Sequence, residues 1–184
     1  MSKRFQVLFI FLVLAVAAMA GGSVGYMFSQ ARAQRAIRFI ENLVHVDGQF
    51  YGQPFKLLPW EKKIIRDVYG TVLPDGRRQY KRVYIEIPKK NGKSELGSGV
   101  VLYHTFADSE VNGEIYGCAA EKNQAGIIYK TAMLMTESIP ALEERSRIAD
   151  SIKEIQDKVS GSIYKVLSSE AYSKHGYKPS CVMF

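Results

Sequence analysis

The chain lacks the residues that build disulfide and metal frameworks. It has two cysteines, Cys118 and Cys181, each in an apolar strand-like run. That excludes a stapled scaffold and a cysteine metal site, and it reads as two small buried hydrophobes in a reducing compartment. The three histidines, His45, His104 and His175, are scattered without ligand spacing and read as structural or surface side chains. No internal repeat or low-complexity run is present, so neither a solenoid nor a compositional linker is expected. No acidic residue precedes Glu41. At 184 residues the length suits one domain, alone or with an appendage. The formal charge is +7, from 25 Lys+Arg against 18 Asp+Glu. Setting Lys3 and Arg4 aside leaves 23 minus 18, about +5, consistent with a polyanionic partner.

Residues 5 to 28 carry no charge, and Lys3 and Arg4 stand before them. Two readings compete for this stretch. It is long enough for a membrane-spanning helix, weakened by Gly21, Gly22, Ser23 and Gly25. Alternatively, its shorter apolar part is a cleaved export signal with a small-x-small site at Ala18-Met19-Ala20. Arg32, Arg35 and Arg38 on the far side nearly balance the flanking charge, so orientation is undetermined. The expected division is a hydrophobic leader over residues 1–30 and a second unit over residues 31–184.

What stands out is Ile87-Pro88-Lys89-Lys90-Asn91-Gly92-Lys93-Ser94. The β-branched and aromatic run Tyr80 to Ile87 reads as a strand, and Lys93 to Ala107 carries Leu96, Val100, Val101, Leu102 and Phe106 at helical spacing. A strand, a loop ending Gly-Lys-Ser and a helix form the context of a phosphate-binding loop. The helix N-terminus attracts phosphate, Lys93 would sit on the β/γ-phosphates, and Ser94 would be a Mg²⁺ ligand. The usual pattern opens with glycine, where this chain has Ile87. The competing reading is a solvated basic turn.

Elsewhere, residues 31 to 43 read as a helix with Ile37, Ile40 and Leu43 on one face, and Pro59 opens a second helix that stops at Gly70. Pro74-Asp75-Gly76 has turn chemistry. Residues 114 to 119 read as a short buried strand, 124 to 138 as a helix with Ile127, Ile128, Ala132 and Met135 inward, and 151–156 and 162–168 as an antiparallel excursion around Ser160-Gly161. Residues 180 to 184 read as a final apolar strand. This alternation predicts an α/β fold with a parallel sheet covered on both faces.

Several blocks in order resemble the terminase large subunit of tailed phages: Arg35 to Leu43, Phe55 to Ile65, Gly70, Pro74 to Arg78, Pro88 to Ser94, Ala119 to Ala125, Leu167 to Glu170 and Gly176 to Ser180. The resemblance covers about residues 33 to 184 and begins only after the hydrophobic segment. That family has a deviant phosphate loop with basic residues in place of glycine. The resemblance implies a P-loop NTPase-like parallel sheet with flanking helices, incomplete here and preceded by an N-terminal hydrophobic helix. It implies ATP and Mg²⁺ as cofactors. It implies double-stranded DNA, the terminase small subunit and the portal as partners, homo-oligomerisation, and the cytoplasm of the infected host as location.

The nucleotide-binding set implied is Lys89, Lys90, Asn91, Gly92, Lys93, Ser94 and Glu61, with Ser94 on the metal. Lys89 or Lys90 stands where the family commonly has an arginine near the γ-phosphate, which exchanges a bidentate fork for a point charge. Glu61 occupies the place of an adenine-reading glutamine; a carboxylate accepts from the adenine amino group but cannot donate to the ring nitrogen. Equally, Glu61 reads as a solvated first-turn glutamate. Gln124 falls in the motif after the second strand. In the family the strand near Cys181 runs directly into an Asp-Glu pair, and this sequence stops at Phe184. The expectation is therefore part of a DNA-packaging ATPase, with weak nucleotide affinity and negligible turnover. The alternatives are a membrane-tethered or exported basic binding module, in contact with a membrane through residues 5–28, and another nucleic-acid translocase of the P-loop class.

Overall fold

Ser29 opens the first helix, α1 (Gln30–Glu41): its hydroxyl accepts the Arg32 amide, and Ala33, Ala36, Ile37 and Ile40 recur three and four apart on one buried face. The computed structural model describes residues 25–88, 90–118, 122–167 and 177–184, with the backbone alone for 122–125. Residues 1–24 of the hydrophobic segment lie outside the described residues. Its last residues are not helical: β1 (Met27–Phe28) pairs antiparallel with β2 (Thr71–Val72). Among the described residues no helix is long and apolar enough to cross a membrane.

Helix α2 (Pro59–Gly70) starts on Pro59, whose missing N–H costs nothing at a helix's first position. It packs on α1 and buries Ile65 and Tyr69, the Tyr69 ring lying 4.8 Å from that of Tyr103. It ends at Gly70, where a side chain would collide with the Phe28 ring.

Helix α3 (Lys93–Phe106) is buried nearly all round, and its sequence from Leu96 on carries no Asp, Glu, Lys or Arg. Such a helix belongs in the middle of a core. Gly97 brings it against Met183 and Ile128, and Gly99 brings it against Ile40 and Leu43 of the α1 side. Ser98 Oγ donates to the Ser94 carbonyl at 2.8 Å and to the Ile128 carbonyl at 3.0 Å, fastening α3 to α4 (Lys122–Glu137). Within α4, Tyr129, Ala132, Met135 and Thr136 are buried and Ile128 packs against the core, whereas Ile127, expected inside, is 53% exposed. Helical spacing alone did not separate Ile127 from its neighbours, because the apolar run spans more than one face.

The sheet is mixed rather than parallel, which corrects the expectation. Its strands are β3 (Glu114–Gly117), β4 (Ser146–Ala149), β5 (Glu154–Asp157), β6 (Ile163–Val166) and β7 (Pro179–Met183), in the order β4-β5-β6-β3-β7. The β6, β3 and β7 strands run parallel, while β4-β5-β6 is an antiparallel meander. A parallel pair needs a crossover, supplied by α4 together with the short helix α5 (Pro140–Arg145); the connections between β4, β5 and β6 are too short to be anything but antiparallel turns. One row runs in register across all five strands: Ile148, Ile155, Tyr164, Ile115 and Cys181. This row joins the main core. Helices α3 and α4 pack on each other and both on β3 and β6, so they share one face.

The strand expected over residues 80–87 is not formed. Residues 81–86 are exposed, with Val83 at 51% and Tyr84 at 77%, and they join no ladder. Strand preference reflects packing on a pleated, half-buried surface, and this segment has no such surface beside it. The expected strand over 151–156 shifts as well: residues 150–152 form a 3₁₀ turn before β5.

Two buried polar networks complete the frame. Asp157 is fully buried and accepts from Arg145 Nε (2.8 Å) and Nη2 (2.6 Å), from the Val159 and Ser160 amides, and from Ser160 Oγ. Near the end of α3, His104 Nε2 meets the Tyr69 hydroxyl at 3.0 Å, while Nδ1 lies 2.9 Å from Asp108 Oδ2, outside good hydrogen-bond direction. Arg78 Nη1 donates to both Asp108 oxygens. His104 is thus a buried structural histidine, as its lack of ligand partners suggested.

Candidate functional site

The loop between residues 88 and 93 is built by backbone before side chains. Lys90 and Gly92 both adopt the left-handed region, at φ +67° and +73°. Gly92 takes this conformation freely, whereas Lys90 takes it against a steric penalty of about 1–2 kcal/mol. Left-handed residues interleaved in a loop turn successive amides toward one side, the arrangement that makes anion-binding concavities. The loop then delivers the chain into α3, whose first hydrogen bond runs from the Leu96 amide to the Gly92 carbonyl at 2.9 Å.

The helix start differs from those before it. α1 is capped by the Ser29 hydroxyl and α2 by the Glu61 carboxylate, which accepts the Leu58 amide at 2.8 Å. The residue at the head of α3 is Gly92, and no side chain caps it. The first-turn amides of any helix need external acceptors, and the macrodipole favours an anion there. At α3 the sequence leaves that role to something other than its own cap.

Two side chains tie the loop's entry to its exit. Lys93 Nζ donates to the Ile87 carbonyl at 3.1 Å, so the exposed ammonium is folded back across the loop. Asn91 Nδ2 donates to the Pro88 carbonyl at 3.2 Å. Ser94 follows at the first turn, its carbonyl held by Ser98. Lys90 is exposed, and Lys89 lies outside the described residues. The side chain of Gln124 likewise lies outside them.

Glu61 does come to the loop, from beneath. A Cβ on Gly92 would stand 3.5 Å from Glu61 Oε1. Its other oxygen is taken by the Leu58 amide, and the residue is 3% exposed. Burial pushes the Glu61 carboxyl above the usual carboxylate range; the Leu58 amide opposes this, and the nearby Glu95 charge adds to it. The geometry makes Glu61 a support under the loop and a helix cap.

A pair not singled out from the sequence adjoins it. Glu95 Oε1, in the first turn of α3, lies 2.9 Å from His45 Nδ1, and the His45 ring packs against Phe50 (5.5 Å) and Phe55 (5.0 Å). The only sequence signal was an acid directly after Lys93-Ser94; nothing in the spacing linked it to a histidine fifty residues earlier. Thus Lys90 and Lys93 are exposed, while the Glu61 carboxylate lies close to Gly92 and Glu95 is turned to His45.

Residues 59–184 match the family model described as terminase large subunit, ATPase domain. A curated relative, the terminase large subunit of Enterobacteria phage HK97, is 34% identical over 150 residues, covering 80% of this chain and 29% of its own length. The crystal structure of the HK97 bacteriophage large terminase superposes with a TM-score of 0.70 at 31% identity, covering 82% of this chain and 30% of that one. The chain therefore spans about 30% of the length of these relatives.

Proposed function

Since the chain belongs to the terminase large subunit family, matched over its ATPase domain, we propose that it is the nucleotide-binding part of an ATP-driven motor that packages viral DNA into procapsids. The observation that carries this reading is the loop ahead of α3: two left-handed residues, a helix start with no side-chain cap, and the Lys93 ammonium held across the loop at the Ile87 carbonyl.

The residues fit a triphosphate. Amides of residues 90 to 93 would surround the phosphate oxygens, and Lys93 would exchange its 3.1 Å carbonyl contact for the β/γ-phosphates. Lys90, and with it Lys89, would add point charges, Asn91 and Gly92 would shape the turn, and Ser94 would hold Mg²⁺. ATP and Mg²⁺ supply the transferable phosphoryl group and the cation that neutralises charge developing on it. Glu61 would act by holding Gly92 from beneath rather than by reading a base from solvent, and its buried carboxylate and cap bond support that role.

The remaining assignments rest on the family. Double-stranded DNA would be the substrate of translocation, the terminase small subunit and the portal the partners, a homo-oligomer the working form, and the cytoplasm of the infected host the site of action. The domain division belongs to the same proposal: a hydrophobic leader over residues 1–30, then a partial ATPase domain over residues 31–184. The folded unit reaches back to Met27, through β1 and the Ser29 cap.

The test is binding of a fluorescent ATP analogue to the full chain in Mg²⁺, followed by anisotropy. Lys93→Ala is expected to weaken binding by about tenfold or more, the loss of one charge-assisted contact to phosphate. Equal binding by the two proteins would remove the loop from the nucleotide site.

A further inference from the structure

On another side of α4, a cavity of about 240 Å³ opens between this helix and the 3₁₀ turn joining β4 to β5. Gly126, Tyr129, Lys130, Met133, Asp150 and Lys153 line it. Helix α4 meets α3 through Ile128, so the helix itself separates this cavity from the phosphate loop.

Three observations set the cavity apart from an ordinary surface dimple. Tyr129 is 2% exposed, and among the described residues its hydroxyl makes no hydrogen bond. Buried hydroxyls nearly always have partners, because leaving one unmade costs about 1–3 kcal/mol. Burial and then the neighbouring Asp150 carboxylate push this phenol up to about 12, so it remains a neutral donor; Asp150 is near enough to act on it but lies outside good hydrogen-bond geometry.

Second, Lys153 sits in the left-handed region at φ +49°, a conformation uncommon for a long side chain. Its ammonium lies 2.7 Å from where a Cβ on Gly126 would stand, so any other residue at 126 would push it aside. Backbone strain and a glycine thus coincide in bringing one ammonium to the cavity wall. Third, among the described residues none of Lys130, Lys153 and Asp150 forms an ion pair.

We propose that this cavity is a second anion site, taking a small phosphate monoester that also bears a hydroxyl or amino group. Two ammonium groups match a phosphoryl dianion, and the Tyr129 hydroxyl donates to one of its oxygens. Asp150 would repel a bare anion, and it is accommodated only if the ligand brings a donor of its own. A phosphodiester carries a single negative charge and leaves one ammonium unmatched.

The test uses the full chain and amide spectra of ¹⁵N-labelled protein at fixed ionic strength. The probes are glycerol 3-phosphate, inorganic phosphate and diethyl phosphate, with sodium chloride as control. Glycerol 3-phosphate is expected to shift residues 126–133 and 150–153 saturably, more tightly than inorganic phosphate, with diethyl phosphate weakest. Lys153→Gln should weaken it by about tenfold, and Tyr129→Phe by about threefold, on the usual scale for one charged and one neutral contact. Lys130→Gln, at an exposed position that folding does not depend on, should also weaken it. Asp150→Asn should remove the preference for glycerol 3-phosphate over inorganic phosphate, and Lys93→Ala should change nothing. Shifts that fail to saturate, or that sodium chloride reproduces, overturn the proposal. So does loss of binding in Lys93→Ala, which would assign the effect to the loop, and so does diethyl phosphate binding as tightly as the monoester.

Discussion

The turn from β5 to β6 and the loop into α3 both pass through left-handed backbone, at Gly161 (φ +76°) in the first and at Lys90 and Gly92 in the second. In the hairpin the polar groups are turned inward on one another. Asp157 takes five donors from Arg145, Val159 and Ser160, and Ser162 Oγ donates to the Glu110 carbonyl while accepting the Gly113 amide. In the loop the few side-chain bonds close the entry on the exit, and the helix behind it starts without a side-chain cap. The same backbone device serves stability when a carboxylate is supplied from within. It serves binding when the acceptor must come from outside.

Breaking the hairpin should have the largest effect. Asp157→Ala would leave the Arg145 guanidinium and two turn amides without their acceptor, and a loss of about 3 kcal/mol is expected in urea denaturation. Lys93→Ala should leave the urea midpoint within about 0.5 kcal/mol of the parent, as surface changes do, while nucleotide binding falls. If Asp157→Ala were as mild as Lys93→Ala, the contrast between the two turns would be wrong.

Next in size is Gly92→Ala. A Cβ there has ordinary contact with Glu61, so the cost is set by the positive φ, about 1 kcal/mol by thermal unfolding. Lys90→Gly should act in the opposite direction, stabilising the loop slightly by removing that penalty; destabilisation would show that the Lys90 conformation is not strained.

Titration separates the networks further. Burial alone would raise the Asp157 carboxyl, but Arg145 and the Ser160 donors outweigh it and hold the group at about 2. The unfolded chain then takes up the proton first on acidification. The stability from Asp157 is present above its ordinary value of 3.8 and is lost as pH falls toward about 2. For His104, burial would lower the value, but Asp108 and the Cys181 side chain raise it to about 9. Its contribution is complete below 6.5 and fades as pH rises through about 9. Unfolding curves of Asp157→Asn and His104→Gln should each lose the matching limb of the pH profile; an unchanged acid limb in Asp157→Asn would contradict the assignment. Smallest of all, Glu61→Gln keeps an acceptor for the Leu58 amide and removes a buried carboxylate held above its usual range. It should be neutral or slightly stabilising near neutral pH, less so in acid, as read from melting temperature.

Much of the helical framework was legible from local rules. Pro59, Gly70 and Gly92 mark helix boundaries by backbone constraint and freedom, and Ile37, Ile40 and Leu43 reported the α1 face by spacing alone, whereas the Ser29 cap was not singled out. The loop was legible for the same reason, because a Gly-Lys-Ser entering an apolar helix is local chemistry. Residues 80–87 were misread because β-branched residues signal a strand only where a partner edge exists, and partnership is not local. The antiparallel half of the sheet was partly visible at Ser160-Gly161, but β4 was not expected at all, since Arg147 and its neighbours carry no alternation strong enough to announce it.

The chain's sequence by itself determined where helices begin and end, which faces are apolar, and that a basic loop precedes the most apolar helix, since each follows from residues within one or two turns of each other. Only the tertiary structure decided that Glu61 supports Gly92, that His45 meets Glu95, and that Lys153 reaches Gly126. Those contacts join residues up to fifty positions apart, and which of them form depends on how the helices pack around α3 rather than on any spacing along the chain.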